Sequence, residues 1–396
     1  MADTLKRRIG PGLLTAYGVG IMVGAGIYVL TGAAAGAAGV WAPLSFALAA
    51  IVAVPTALSF AELAARIPEA AGDSSYVEVG LRRHWLAVAV GAVNVIAGVV
   101  AAAAVLRGGV GYLTSIVDVP FALGVFGLGA AMTLIALVGV LESLAFAAVM
   151  TVIEVIGLTL VIGAGFAAAP VAEWSAPPAP EWSGVAAATI FAFFAFIGFD
   201  DMVNIAEETR APGRTMPRAI LGALAITGLL YMLVSLAAVR AVPRDVLGAS
   251  ERPLALVWEA GAGTSAAFLA AIAVAAALNG VLAQIVMAAR VLFGLGKRSP
   301  GFAVFRAAHP RFGTPVLGTV VIGMAVTASA LTLPVAVLAE ITTQALLIVF
   351  AIVNAALIGL KRRVAEGPFV VPMAVPVLGV LTCVLTLMAS FVEVAP

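Results

Sequence analysis

Gly18-Val19-Gly20-Ile21-Met22-Val23-Gly24-Ala25-Gly26-Ile27-Tyr28 lies in the middle of the first long apolar run of the chain. It holds four glycines, Gly18, Gly20, Gly24 and Gly26, and each interior glycine weakens a helix by about 1 kcal/mol relative to alanine. Such a cluster invites the helix to open. At bilayer depth an open turn is tolerated only where it is buried in protein or lines a cavity. The second half-helix would then begin inside the membrane. Its partial positive charge and free N–H groups would converge on one place, which makes a seat for a carboxylate. A second reading stands beside this one: Gly20 and Gly24 form a small-xxx-small pair that lets two helices pack closely.

Composition identifies the solvent around that break. Of 396 residues, 63% are hydrophobic and 10% charged, against about 25% charged in a soluble domain. An integral membrane protein is expected. The net charge of +1 gives no reason to expect nucleic acid as a partner. The single cysteine, Cys383, excludes a disulfide framework. Cys383, His84 and His309 offer no metal-ligand spacing, so no metal site is expected. Lys6-Arg7-Arg8 before an apolar stretch superficially resembles a signal peptide. The run that follows is too long for that, so it reads as a retained first helix.

A helical span needs about 20 mostly apolar residues. Eleven stretches qualify, near 12–36, 42–66, 85–109, 119–140, 144–168, 184–207, 218–239, 264–290, 315–333, 336–359 and 372–393. A cytoplasmic N-terminus puts 17 of the 21 Lys and Arg in inside loops and leaves Arg107, Arg240, Arg244 and Arg252 outside, as the positive-inside rule requires. Eleven spans leave the C-terminus extracellular. Arg107, near the outer end of the third span, is expected to snorkel outward. The outer segment 240–263 is expected to hold one short surface helix, a gate or a connector. The basic stretch 294–314 reads as an orientation signal.

The sixth span carries a second interruption, Phe191-Ala192-Phe193-Phe194-Ala195-Phe196-Ile197-Gly198-Phe199-Asp200-Asp201-Met202. A charge at the bilayer centre costs roughly 2.5–3.5 kcal/mol, so the two carboxylates should face a wet cavity or a partner. Alternatively they lie nearer the cytoplasm and cap the second half-helix. If 194–197 unwinds, its carbonyls can take an ammonium group. Spans 1 and 6 occupy corresponding places in two five-span halves, 12–168 and 184–359, that begin on opposite sides. Paired interrupted helices in inverted halves point to a midplane binding site. One break offers amides and the other carbonyls, which together suit a zwitterion such as an amino acid.

At these residues the chain resembles the amino acid–polyamine–organocation superfamily, in its cationic amino acid transporter-like branch. Gly20-Ile21-Met22-Val23-Gly24-Ala25-Gly26-Ile27-Tyr28-Val29-Leu30-Thr31-Gly32 is similar to the first-helix signature, and Phe193 to Asp200 with Ala206-Glu207-Glu208-Thr209, Pro212, Arg214 and Pro217-Arg218-Ala219-Ile220 to the sixth. Pro68 to Tyr76 resembles the loop after the second helix, with Asp73 where a second glycine is usual; Ala289 to Gly294 with His309 to Pro315 resembles the eighth-helix exit. The resemblance covers essentially the whole chain. It implies an all-α polytopic membrane protein with a LeuT-like fold of five plus five inverted helices, discontinuous at helices 1 and 6. Residues 1–168 would be the first repeat, 169–183 an extracellular linker, 184–359 the second repeat, and 360–396 a cytoplasmic loop and one additional helix.

Carried over residue by residue, substrate would bind at Ile21, Val23, Gly24, Ala25 and Gly26 through its carboxylate. The carbonyls of Phe194, Ala195 and Ile197 would take its amine, with Phe194 or Phe196 closing over it. The implied activity is alternating-access transport of amino acids by proton-coupled symport or exchange, in a plasma membrane, with no cofactor and no obligatory protein partner. The Phe- and Ile-lined space suits small neutral or hydrophobic amino acids; Glu154 and Asp200 keep cationic amino acids or polyamines open. The family commonly has twelve helices, and this chain runs out after eleven.

Counting from Glu142-Ser143, the position that often holds a coupling lysine carries Glu154. Burial favours its neutral acid, so it reads as a proton carrier, with a sodium site or a packing acid as alternatives. Asp200 and Asn279 complete the coupling set, and Gln284 is a further buried polar candidate. H+ is the expected coupling ion and Na+ the alternative. A membrane enzyme is disfavoured because no HExxH, Ser–His pair or nucleophilic cysteine appears. A channel or receptor would show repeated charge or carbonyl rings, and none is evident.

Overall fold

The computed structural model describes residues 9–68, 72–138, 144–309 and 314–392. Lys6 to Arg8, Glu142, Ser143, Pro310, Arg311 and Pro396 lie outside them. Within them the chain is helical, and its one extended pairing among the described residues is the bridge between Ile9 and Thr209. The helices are α1 (Pro11–Val23), α2 (Ala25–Ala38), α3 (Ala42–Arg66), α4 (Gly72–Leu81), α5 (His84–Leu113), α6 (Phe121–Val138), α7 (Leu144–Ala167), α8 (Ala172–Ser175), α9 (Trp182–Phe196), α10 (Pro212–Ala241), α11 (Arg244–Gly248), α12 (Pro253–Ala262), α13 (Ala267–Arg298), α14 (Val316–Thr332), α15 (Val335–Lys361) and α16 (Ala374–Val392). A 3-10 turn over Asp201–Glu208 follows α9.

Among the described residues nine helical segments are long and apolar enough to cross a membrane, and Pro11–Val23 and Val316–Thr332 are shorter apolar helices. The protein is therefore an all-α polytopic membrane protein. Its periphery is apolar. On α7, Val149, Val152, Ile153, Ile156 and Leu160 are exposed, a one-sided stripe at helical spacing. Thr151, Glu154, Leu158 and Val161 are buried on the other side. The outer faces of α6 and α16 carry Leu123, Phe126 and Leu134, and Leu381, Leu385 and Met388, in the same way. In water such faces would be an aggregation hazard; in lipid they are the ordinary solvent contact.

Several helices outrun their apolar stretches. α13 continues to Arg298, and α10 starts at Pro212, a residue suited to a helix's first turn. Segment 240–263 holds two short helices, α11 and α12, rather than one. They lie close over α2: the Gly36 and Gly248 backbones approach so nearly that a Cβ on Gly36 would sit 3.1 Å from Gly248 Cα. Arg107 is held by protein partners. Its side chain is 21% exposed and lies 4.0 Å from Glu251. Its Nη1 donates to Ala330 O at 2.9 Å, and its guanidinium sits 4.8 Å from the Phe121 ring centre. The last carbonyls of α14 lack helical partners and carry partial negative charge, and Arg107 answers both needs.

Candidate functional site

The first break falls at one residue. α1 ends at Val23 and α2 begins at Ala25, with Gly24 between them at ψ −170°. The Gly24 N–H still closes the last turn of α1 on Gly20 O. No side chain caps α2, so its opening N–H groups, from Ala25 onward, are the ones a ligand can take. Gly24 and Gly26 are half-exposed between buried Val23 and buried Ile27. The close-packing reading applies to Gly18 and Gly20, and not to Gly24, where a Cβ would meet only Ile21 O at 3.5 Å. A Cβ on Gly20 would collide with the Thr151 side chain of α7, and one on Gly18 with Met202, so these two serve packing.

The second break lies later than 194–197. α9 stays helical through Phe196, and the chain turns over Ile197 to Asp200. Gly198, at φ +123°, takes the backbone conformation that an L side chain would resist. The Asp200 carboxylate accepts the Gly198 N–H at 3.0 Å and holds the turn. The carbonyls left over are those of the last turn of α9. Phe194 O accepts Ile197 N at 3.1 Å. Ala195 O lies 3.0 Å from the Tyr231 hydroxyl of α10, which also reaches Met22 O at the end of α1. One hydroxyl with one proton thus sits between the C-terminal ends of both half-helices.

The breaks meet. A Cβ on Gly26 would lie 3.6 Å from Ala195 Cα and from the Phe194 ring, and Ile21 fills the space beside Gly198. The positive N-terminus of α2 therefore abuts the negative C-terminus of α9. Phe194 stands at this junction. Phe196 is turned away, with its ring 5.2 Å from that of Tyr231.

A cavity of about 460 Å³ opens beside the second break; it reaches Ile197 and Asp200 but is lined by none of Gly24, Gly26, Phe194 and Ala195. Ile197 and Asp200 are the predicted site residues that line it, together with Asp73, Asn94, Asp201 and Gln284; Glu78, His84 and Arg298 stand at its mouth. Gln284 hydrogen-bonds Asp201. The opposite side is closed. The Tyr112 hydroxyl donates to Tyr28 O at 2.7 Å and accepts Leu254 N of α12 at 3.3 Å.

Glu154 is 3% exposed, on the inner face of α7. It lies one turn beyond Thr151, whose Oγ1 donates to Ala16 O of α1 at 3.4 Å. Its backbone carbonyl accepts the Tyr28 hydroxyl at 3.3 Å, and its carboxyl interacts electrostatically with the Tyr28 and Tyr231 hydroxyls. Asn279 is half-buried on α13. Sequence reasoning missed Asp73, Asn94, Tyr112 and Tyr231 as site groups. Asp73 was visible only as an odd residue in a loop motif, and a tyrosine in an apolar helix carries no distinguishing signal.

Residues 13–396 match the amino acid permease family. The chain is similar to the branched-chain amino acid permease BcaP of Bacillus subtilis, 27% identical over 92% of this chain and 83% of that protein. It is similar to human cationic amino acid transporter 4, 31% identical over 93% of this chain and 62% of the longer human protein. It is also similar to the methylthioribose transporter of Bacillus subtilis, 28% identical over 96% of this chain and 87% of that protein.

Proposed function

The chain belongs to the amino acid permease family and transports amino acids, and from that premise we propose that it works by alternating access, coupled to protons, on small neutral or hydrophobic amino acids. The observation that carries this reading is the junction at Gly26 and Ala195. There an uncapped helix N-terminus adjoins a helix C-terminus of opposite sign. The carboxylate takes the N–H groups from Ala25 onward. The ammonium takes the Ile197 carbonyl, since Phe194 O accepts Ile197 N and Ala195 O is engaged by Tyr231. Phe194 covers the substrate.

The reading includes eleven crossings in two inverted five-span repeats, residues 12–168 and 184–359. Segment Gly26–Arg66 has 41 residues, roughly 60 Å of helix, which is twice a bilayer core, and it turns at Gly39–Trp41. α1 and α2 then make one crossing and α3 the next. The positive-inside bias supports a cytoplasmic N-terminus in a plasma membrane, which makes the open cavity a cytoplasmic vestibule and the Tyr112–Leu254 contact an outer closure. Glu154 is the proposed coupling acid. It is buried beside the α1 end of the break, where its charge biases how α7 holds α1.

Cationic substrates are a second reading, favoured by Asp73, Asp200 and Asp201 on the cavity wall. Uptake of radiolabelled L-leucine and L-arginine into proteoliposomes, under an imposed inward proton gradient with and without Na+, tests the set. Accumulation of leucine that follows the pH gradient and ignores Na+ is the expected result. Accumulation that needs Na+, or flux that does not saturate, overturns the coupling or the carrier mechanism.

A further inference from the structure

Asp73 opens α4, the helix between the second and third spans, and is 7% exposed. Gly72, at φ +57°, turns the chain into that helix, and a Cβ there would sit 3.0 Å from Asn204 Oδ1. The start of α4 thus lies against the Asp201–Glu208 turn. Asn94 Nδ2 of α5 donates to Asp73 Oδ2 at 2.8 Å. The other end of that carboxamide is unanswered: Asn94 Oδ1 is buried and has no hydrogen-bond partner. A carboxylate has no proton to offer it, whereas a carboxylic acid does. A carboxyl facing a carboxamide closes into two reciprocal hydrogen bonds when the acid is protonated, so this pair is half-made without a proton.

We propose that Asp73 is a second proton-binding group of this transporter, in the cytoplasmic vestibule, and that its protonation against Asn94 lets the vestibule close. This rests on the alternating-access reading above. Closure must bring α4 toward the Ile197–Glu208 segment; α5 and α13 already pack together along the vestibule, with Gly91 against Leu295 and Gly98 against Gln284. The charges around Asp73 in the vestibule are Asp200 and Asp201 from the turn after α9, and Arg290 and Arg298 from α13. Glu78 on α4 itself is occupied by His84 of α5 and by Arg298. Lys361 and Arg363 of the α15 end, which packs on α4, are bound to Glu62 and to the Val79 and Gly80 carbonyls. With Arg298 taken by Glu78, the neighbours left are Asp200, Asp201 and the single cation Arg290, and an ionised Asp73 adds a third carboxylate against that one cation. Burial first, and the Asp200 charge second, push the Asp73 carboxyl up to about 7, against the lowering effect of the Asn94 bond. Its protonated fraction then falls about tenfold between about pH 6 and pH 8.

The test uses the full chain in proteoliposomes, with leucine and arginine exchange measured at equal pH on both sides. Wild-type exchange should fall about tenfold from about pH 6 to pH 8, while Asp73→Asn stays near its low-pH rate throughout. Infrared difference spectra of the same samples should show protonated-carboxyl absorption that titrates near neutrality and loses amplitude in Asp73→Asn. Asp200→Asn, which keeps the Gly198 acceptor and removes the charge, should move the wild-type profile to lower pH, and it carries the test if Asp73→Asn does not fold. His84→Gln should leave the profile in place. The proposal is overturned by a flat wild-type profile, by an Asp73→Asn profile that tracks wild type, by a titrating carboxyl band as large in Asp73→Asn as in wild type, or by a profile that flattens in His84→Gln instead. Absence of leucine and arginine exchange in wild type, with the infrared band present, would count against the transport reading and leave the proton site standing.

Discussion

Substitution at Gly26 separates a substrate seat from a packing contact. A Cβ placed there meets Ala195 Cα and the Phe194 ring at 3.6 Å, ordinary van der Waals distance, so Gly26→Ala should fold and bind with little change. Gly26→Val adds two methyl groups beyond that Cβ, into the junction between α2 and α9. They must push Phe194 or the α9 end aside. Overpacking of this kind costs about 1–3 kcal/mol. Here the strain falls on the juxtaposition of the two seats, so it should be felt in affinity, as a loss of about 5- to 150-fold. Binding of radiolabelled leucine and arginine to purified protein, with gel filtration as the check on folding, reads the effect. A folded Gly26→Val protein with wild-type affinity refutes the seat. So does a Gly26→Ala protein as impaired as the valine variant, because the structure leaves room for one methyl.

Glu154→Gln should keep exchange of substrate between the two sides and lose accumulation driven by a pH gradient; accumulation as steep as wild type would return Glu154 to a packing role. Glu62→Ala should lower thermal stability by about 3–5 kcal/mol: it strips the buried Lys361 ammonium of two carboxylate contacts at 2.9 Å and Val371 N of its acceptor, and Lys361→Met in the same chain should restore part of the loss in a melting assay. Gly20→Ala should destabilise by about 1–3 kcal/mol through its collision with Thr151, and Thr151→Ala should relieve it; no rescue in the double variant would mean that α1 and α7 do not pack as described.

The two interruptions were legible because their causes are local. Glycine weakens a helix wherever it stands, so Gly18 to Gly26 announced a break before any partner was known. Its location at Gly24 alone was not legible, since Gly18 and Gly20 have the same intrinsic cost and differ only in facing Met202 and Thr151. In the sixth span the break was expected at 194–197 and lies after Phe196. Helix formers continue until Gly198 takes its positive φ and Asp200 ties down its N–H. The depth of Glu154 could be read from an uncharged run. The loop residue Asp73 could not, because its burial depends on α5 and on the turn after α9 coming together around it.

By itself the sequence determined the solvent, the class and the family: a chain with 10% charged residues cannot cover a water-exposed surface, and an apolar helix in lipid needs only its own backbone bonds. Those are properties of short stretches and averages. What the tertiary structure decided is which groups meet. Tyr231 reaches Met22 across 209 positions, and Lys361 reaches Glu62 across 299. Each of these residues, read alone, is a tyrosine in an apolar helix or a basic residue at a loop. Their roles come from helix packing, where close approach of small residues sets the neighbours and a buried polar atom must find whichever partner that packing supplies.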